Sequence, residues 1–235
     1  MALAFIAALP RELTPLTRGW QYRSSVFFGR IGDQTAVASC AGIGVSAATR
    51  ACETALAAGP IDTIVSIGFA GSLSCGLSAP TAVSVREVVD AATGECFPAA
   101  PLPHPASGGF KPQRLVTLDR VAGPEEKRRL ASAHQATLVD MEAAAVARFA
   151  RTHNLAFACI KAVTDGPSDR LPDFTPFVTP DGHLRTTVLG AWALVHPRSW
   201  SPLRQLGHNS RLASVELAKF VHQNFLSPSL SSSVK

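Results

Sequence analysis

Residues 136–165, ATLVDMEAAAVARFARTHNLAFACIKAVTD, contain a predicted strand, an alanine-rich helix and a second, longer strand. Glu142 stands near the start of this helix, and Val146 and Phe149 follow at i+4 and i+7 on the same face. A carboxylate on an apolar face is costly to bury without a partner, and a ligand with hydroxyl groups is a suitable partner. The simpler alternative is a helix N-terminus capped by Asp140, where the helix dipole favours Glu142.

The same alternation of strand and helix continues along the chain. Further strands are predicted at 2–9, 61–71 and 81–91, a hairpin around Gly32-Asp33-Gln34, and helices at 45–59, 184–195 and 199–225. This order predicts a single α/β domain with a central mixed, twisted sheet that is covered by helices on both faces. The predicted domain spans residues 1–226, and the serine-rich tail 227–235 is predicted to be disordered.

Composition argues against several classes of protein. The chain has 235 residues, of which 46% are hydrophobic and 17% charged, as is typical of a soluble globular domain. No apolar run approaches the ~20 residues of a membrane span, and the N-terminus lacks the basic segment of a signal peptide. Five scattered cysteines without metal-ligand spacing favour free thiols in the cytoplasm. A net charge of +5 without a basic run argues against nucleic acid as a partner.

Residues 97–112 contain five prolines and two glycines. Such a composition is typical of a loop, and long loops of this kind often serve function. We therefore predict a loop that acts as a flap over a site.

Carboxylates and glycine turns stand at the ends of several predicted strands. Glu12 follows the first strand, the glycine turn 41–44 follows the hairpin, Gly68–Gly71 end another strand, and Asp165 ends the last one. Ligands of open α/β sheets gather at such carboxyl ends, so these groups and Glu142 predict a ligand site. Each has a plainer alternative: Glu12 as an exposed first-turn carboxylate, the glycines as tight turns or a bulge, and Asp165 as a turn residue.

Five motifs occur in the order of a known family: IAALPREL (6–13), AGIG (41–44), IVSIGFAG (64–71), VDMEAAAVA (139–147) and KAVTD (161–165). In them the chain resembles the superfamily of purine nucleoside phosphorylases and methylthioadenosine/S-adenosylhomocysteine nucleosidases. The resemblance implies a nucleoside phosphorylase-like fold and cleavage of the N-glycosidic bond of an adenine nucleoside. Residues 171–184 and 196–220 are similar to a narrower branch, the hopanoid-associated phosphorylases, which implies a substrate with an apolar 5′ group such as adenosylhopane.

The resemblance implies catalytic roles for two carboxylates. Glu12 matches the residue that activates the attacking water in the nucleosidases, and Asp165 matches the acid that protonates N7 of the leaving purine. Because the transition state resembles an oxocarbenium ion, Asp165 must supply a proton while Glu12 stays ionised. Partial burial of Asp165 would favour its protonated form.

The other residues implied by the resemblance bind the substrate. Glu142 matches the carboxylate that holds the ribose hydroxyls. The remaining ones line the sugar and the base: Met141, Phe69 and Ile43 at the sugar and nucleophile, and Val121 and Ala122 at the adenine.

Members of the superfamily use either water or phosphate as the nucleophile. The candidates for phosphate binding are Arg11, Gly44 in the turn before a helix, and Ser66, which replaces an arginine of the phosphorylases. Glu12 would repel phosphate and suits water. The residues therefore slightly favour hydrolysis, whereas the branch favours phosphorolysis with phosphate as a co-substrate, and both alternatives stay open.

The resemblance also bears on partners. It implies a small adenine nucleoside as the ligand, a homodimer or higher homo-oligomer, and no metal or organic cofactor. The alternative of another class is a non-catalytic protein that binds or stores a nucleoside. Such a protein usually lacks one of the three carboxylates, and Glu12, Glu142 and Asp165 are all present here.

The C-terminal region raises a further possibility for partners. The helix at 186–195 is apolar nearly all round, and the next segment carries Trp200 with Arg198, Arg204, Arg211 and Lys219. Basic residues with tryptophan on an amphipathic stretch bind anionic membranes, which predicts a weak peripheral membrane contact. The alternative places the first helix on the sheet and the second at a dimer interface.

Overall fold

The computed structural model of the chain describes residues 2–104, 110–179 and 181–226. In these residues the strands are β1 (Ala2–Ala7), β2 (Gln21–Arg23), β3 (Val26–Ile31), β4 (Gln34–Cys40), β5 (Thr63–Ser72), β6 (Ala82–Asp90), β7 (Cys96–Pro98), β8 (Gln113–Thr117), β9 (Leu138–Asp140) and β10 (Ala156–Asp165). The helices are α1 (Pro10–Leu13), α2 (Val45–Ala57), α3 (Pro124–His134), α4 (Ala143–Thr152), α5 (Thr186–Leu194) and α6 (Trp200–Phe225). The predicted tail 227–235 lies outside the described residues, so the domain boundary stays a prediction.

The strands form one mixed sheet in the order β10-β6-β8-β9-β5-β1-β4-β3-β2, with β7 beside β6. A further pairing of β10 with β5 closes the first five strands of this order into a ring. β1 runs parallel to β4 and β5, and β5 runs parallel to β10. The carboxyl ends of these strands therefore share one edge, where the sequence predicts the ligand site.

Helices cover both faces of this sheet, as predicted. On one face α2 and α4 pack through alanines such as Ala51 and Ala147, whose small side chains let the helices approach the strands and each other. On the other face α6 buries Leu217 and Phe225 against Phe5 of β1 and neighbouring strand residues. The predicted single-domain α/β architecture is confirmed.

The helix α5 does not pack on the sheet, where one of the two alternatives for this region placed it. None of its residues is buried, and Leu194 and the following Val195 are 74% and 73% exposed. The alternative that placed this helix on the sheet is therefore wrong, and α6 occupies that face instead. Among the described residues, no helix combines the length and the apolar character needed to cross a membrane.

The described part of residues 97–112 does not form the predicted flap. Residues 96–98 form β7, which pairs with β6. Further along, the N–H of Ala100 donates to the carbonyl of Phe157 at 2.7 Å and that of His104 to the carbonyl of Asn224 at 3.0 Å. Phe157 is the second residue of β10, at the opposite end of that strand from Asp165. The described part of this loop therefore does not cover the predicted site, and residues 105–109 lie outside the described residues.

Candidate active site

A cavity of about 160 Å³ opens at the carboxyl ends of the strands. Every catalytic and substrate-binding residue predicted from the sequence lines it: Glu12, Asp165, Glu142, Met141, Phe69, Ile43, Val121 and Ala122. They come from the ends of β1, β5 and β10 and from the turns after β4, β8 and β9. The residues from β1, β4, β5 and β10 meet because these parallel strands end at the same edge. The strands β8 and β9 run the opposite way to β5, and β9 pairs with Gly71 and Ser72 at the end of β5, so the turns that follow them reach the same place.

The short helix α1 positions Glu12. Pro10 occupies its first turn, and Glu12 folds back so that its Oε2 accepts the N–H groups of Ala8 and Leu9, each at 2.8 Å. Its Oε1 accepts the N–H of Phe69 on β5 at 3.0 Å. A carboxylate has about four acceptor sites, so these backbone donors leave capacity for a ligand or water.

Glu12 is buried, so the alternative of an exposed first-turn carboxylate is wrong. Burial raises the pKa of Glu12, while the hydrogen bonds from Leu9 and Phe69 and the charge of Lys161 oppose that rise. Gly68, at a φ of +149°, makes room for Glu12, because a Cβ there would lie 2.9 Å from Oε1. Glu12 is therefore a fixed, partly satisfied carboxylate at the wall of the cavity.

The motif at 139–147 divides its two acidic residues between different tasks. The helix α4 begins at Ala143, directly after Glu142, and the N–H of Ala143 donates to Oδ2 of Asp140 at 2.9 Å. Asp140 thus accepts the first N–H of the helix, but the N-cap position itself belongs to Glu142, whereas the simpler alternative gave it to Asp140. Glu142 turns away from the helix, and its Oε1 accepts the N–H of Gly44 at 2.8 Å.

Burial, together with the charge of Asp140, raises the pKa of Glu142 to about 8, although Lys161 opposes this rise. The raised pKa favours the protonated carboxyl, whose second oxygen, the one that Gly44 does not contact, can exchange hydrogen bonds with a hydroxyl. Such a group suits recognition of a sugar diol, since a carboxylic acid both donates and accepts.

This pKa predicts a pH-dependent effect of Glu142→Gln on stability. The raised pKa means that the folded state holds a proton that the unfolded state releases above about 4.5, so wild-type stability falls as the pH rises from there to about 8. The amide keeps the acceptor for Gly44 and never ionises. We expect equal Tm values below about pH 4.5 and a higher Tm for Glu142→Gln above about pH 8, measured by thermal unfolding. The exposed substitution Glu53→Gln is the control, and a difference that does not change with pH would contradict the assignment.

Below the cavity, a buried ion pair joins β9 to β10. Nζ of Lys161 lies 2.8 Å from Oδ2 of Asp140 and donates to Oγ of Ser66 at 3.2 Å. Burial disfavours the charged ammonium, but the charges of Asp140 and its neighbours raise the pKa of Lys161 overall. Thr117 also donates to Asp140 at 2.7 Å. This network fixes the turn that presents Met141 and Glu142.

Asp165 at the end of β10 has a partner that the sequence did not reveal. Nζ of Lys127, on α3, contacts Oδ2 of Asp165 and lies 2.6 Å from the carbonyl oxygen of Gly166. Thr164 donates to Oδ1 of Asp165 at 2.9 Å. The proposed acid, Asp165, is therefore held in an ion pair with Lys127, whereas the sequence predicted only that it is partly buried.

The family of the chain follows from a match over most of its length. The model of one protein family, the phosphorylase superfamily, matches residues 2–118 and 114–181. The chain belongs to the phosphorylase superfamily. The matched ranges contain every residue of the cavity that the sequence predicted.

Solved structures share the fold at low sequence identity. The 5′-methylthioadenosine/S-adenosylhomocysteine nucleosidase of Helicobacter pylori is 14% identical, with a TM-score of 0.68 over 94% of this chain and 96% of that one. Futalosine hydrolase of the same organism is 13% identical, with a TM-score of 0.69 over 95% and 96%. The Arabidopsis thaliana 5′-methylthioadenosine nucleosidase is 19% identical, with a TM-score of 0.66 over 94% and 92%. No curated protein matches the chain.

Within this superfamily fold, the candidates for phosphate binding are not brought together. Arg11 lines the cavity, and its guanidinium carbon lies 5.6 Å from the centroid of the Phe69 ring. Gly44 donates its N–H to Glu142. Ser66 is buried and accepts a hydrogen bond from Lys161 beside a separate inner cavity of about 10 Å³. Of the three candidates, only Arg11 therefore reaches the main cavity.

The sequence reasoning missed several other residues of the cavity wall. They come from α3, the turn before it and the C-terminal third of the chain: Arg120, Lys127, Leu171, Phe174, Leu206 and Ser210. The spacing of Lys127 and Leu130, the two buried residues of α3, is the signal that could have placed Lys127 inward. Within the described ranges, no group of three or more His, Cys, Asp or Glu side chains is arranged to hold a metal ion.

Proposed function

We propose that the chain is a nucleosidase that hydrolyses the N-glycosidic bond of an adenine nucleoside and releases adenine. The observation that carries this proposal is the convergence of Glu12, Glu142 and Asp165 on one cavity. The nucleosidases of similar fold support it. A non-catalytic storage protein has no need of three carboxylates with such different surroundings.

The three carboxylates divide the reaction between them. Glu142 holds the sugar hydroxyls, and Glu12 takes a proton from a water molecule that attacks C1′. As the C1′–N9 bond breaks, its electron pair passes to the purine, and a proton delivered through Asp165 to N7 neutralises the leaving base. General acid and base help of this kind contributes about 10²- to 10⁴-fold each.

Water is the nucleophile that these surroundings support. Glu12 places a carboxylate where phosphate would have to bind, and like charges at close range repel each other. Gly44 and Ser66 are engaged elsewhere. The alternative, phosphorolysis, rests on Arg11 and Arg120, which bring positive charge to the cavity wall.

A second cavity supports an apolar 5′ substituent on the substrate. Its volume is about 420 Å³, and it shares Ala8, Leu9 and Arg11 with the main cavity. Its other walls include Ala41, Gly42 and Leu184. Arg11, His183 and Thr186 also line this space, but most of its lining side chains are small or apolar, which suits a hydrocarbon chain such as that of adenosylhopane.

A lipid-like substrate would also be consistent with a peripheral membrane contact. Thr186, at the start of α5, reaches the second cavity, and the same helix exposes apolar residues such as Val188 and Leu194. The homodimer or higher homo-oligomer implied by the family resemblance stays a prediction.

The test is adenine release from a panel of nucleosides, with and without inorganic phosphate. The panel contains adenosine, methylthioadenosine, S-adenosylhomocysteine and an adenosine with a long alkyl chain at the 5′ position. We expect release without phosphate, and the highest kcat/KM for the alkyl nucleoside. Release only with phosphate would establish a phosphorylase, and binding without release from any nucleoside would establish the storage alternative.

A further inference from the structure

A buried lysine stands directly behind the proposed acid. Only two residues of the helix α3, PEEKRRLASAH, are buried, and one of them is Lys127, which is 1% exposed. Its Nζ contacts Oδ2 of Asp165 and lies 2.6 Å from the carbonyl oxygen of Gly166. Lys127 also lines the main cavity. An isolated buried ammonium is costly, so such a position for a lysine calls for a reason beyond helix formation.

The hydrogen bonds of Asp165 bear on how it can take part in proton transfer. Thr164 donates to Oδ1, and Lys127 donates to Oδ2. Both oxygens therefore act as acceptors, which is the arrangement of an ionised carboxylate. A proton for the purine must come through this carboxylate from another group, and the ammonium of Lys127 is in direct contact with it.

The backbone of β5 leaves space for this pair. A Cβ at Gly71 would lie 2.9 Å from Oδ2 of Asp165, 3.2 Å from Val139 and 3.4 Å from Cε of Lys127. Any side chain at this position would press on the contact between the two groups. The absence of a side chain at Gly71 is thus a second observation that the lysine and the carboxylate are placed together.

We propose, building on the nucleosidase function above, that Lys127 is a positioning residue that fixes Asp165 and supplies the proton for the leaving adenine. As the C1′–N9 bond breaks, Nζ of Lys127 passes a proton to the carboxylate of Asp165, which passes one to purine N7. The step leaves a neutral amine on Lys127, an ionised Asp165 and neutral adenine. The proton of the attacking water is held by Glu12, and exchange with solvent after release restores both groups.

Two substitutions of Lys127 test whether it acts by supplying a proton, by its positive charge or by its packing. Lys127→Gln keeps a hydrogen-bond donor for Asp165 but has no proton to give. Lys127→Arg keeps the positive charge, yet guanidinium does not deprotonate in proteins. The control is Lys219→Gln on α6, where Lys219 is exposed and pairs with Glu216.

Cleavage rates for two substrates with different leaving groups decide between these explanations. Adenine needs protonation to leave, whereas the nitrophenolate of a 4-nitrophenyl riboside leaves without it. We expect Lys127→Gln and Lys127→Arg to lower kcat for adenine release by about 100-fold or more, and to change nitrophenyl riboside cleavage by less than about threefold. The same selective loss is expected of Asp165→Asn, while Lys219→Gln behaves as the wild type.

Other results would overturn the role of Lys127. An equal loss on both substrates means that the lysine only supports the fold, and an unchanged rate of adenine release means that it has no part in the reaction. Adenine release by Lys127→Arg at the wild-type rate would show that charge alone suffices. A wild type that releases no adenine would refute the proposed nucleosidase function itself, and this role of Lys127 would fall with it.

Discussion

Asp165→Asn is expected to slow adenine release by about 10²- to 10⁴-fold, because the amide cannot pass a proton to the purine. The amide oxygen still accepts a hydrogen bond from Lys127, so the chain should fold. Its Tm should nevertheless fall, since a buried ammonium loses its counter-charge. The measurement is kcat for an adenine nucleoside together with thermal unfolding.

The matched control for this substitution is Asp33→Asn, the same change in the exposed turn between β3 and β4. It should alter neither kcat nor Tm. Wild-type turnover in Asp165→Asn would remove Asp165 from the reaction and leave the proposed function without its acid.

Glu12→Gln is expected to reduce kcat by a similar factor, about 10²- to 10⁴-fold, because the amide cannot take the proton of the attacking water. Its NH2 group also has to face either the N–H groups of Ala8 and Leu9 or that of Phe69, donor against donor, so some loss of stability should accompany it. The isosteric change Glu53→Gln, on the exposed side of α2, is the control.

The pH profile gives a sharper test of Glu12. A general base works only when ionised, and burial raises the pKa of Glu12 above 4.5. The wild-type rate should therefore fall on acidification at a higher pH than for an ordinary glutamate. The residual rate of Glu12→Gln should lack this acidic limb. A limb at the same pH in the variant would show that another group is responsible.

The sheet and the carboxylates at its edge could be predicted because they depend on local signals. Strands and helices alternate in the sequence, and parallel strands place their carboxyl ends at one edge. Glu12 and Asp165 stand at such ends, whereas Glu142 follows β9, which runs antiparallel to β5, and the structure brings all three to one cavity. The family resemblance supplied their roles, which spacing alone does not define.

The missed residues depend on contacts between distant parts of the chain. Lys127 stands in a charged run that is typical of a solvated helix face, and its spacing from Leu130 is a weak signal beside the three-dimensional contact with Asp165 that shows it to be buried. Lys161 and Asp140 form a buried pair across two strands. Nor does the apolar composition of α5 show whether it packs on the sheet, because composition predicts a preference for burial but not the surface that satisfies it.

The pairing of β5 with β10 has a consequence for how activity responds to damage elsewhere in the domain. β5 hydrogen-bonds to β1, β9 and β10, and β10 runs beside it as far as Asp165, with a shift of register after Val163. Strands held on both sides expose their amides only when the whole domain opens. The catalytic residues on these strands therefore lose their alignment only when the whole domain unfolds. A substitution that weakens a remote part of the core should reduce the number of active molecules while each surviving molecule keeps its full turnover.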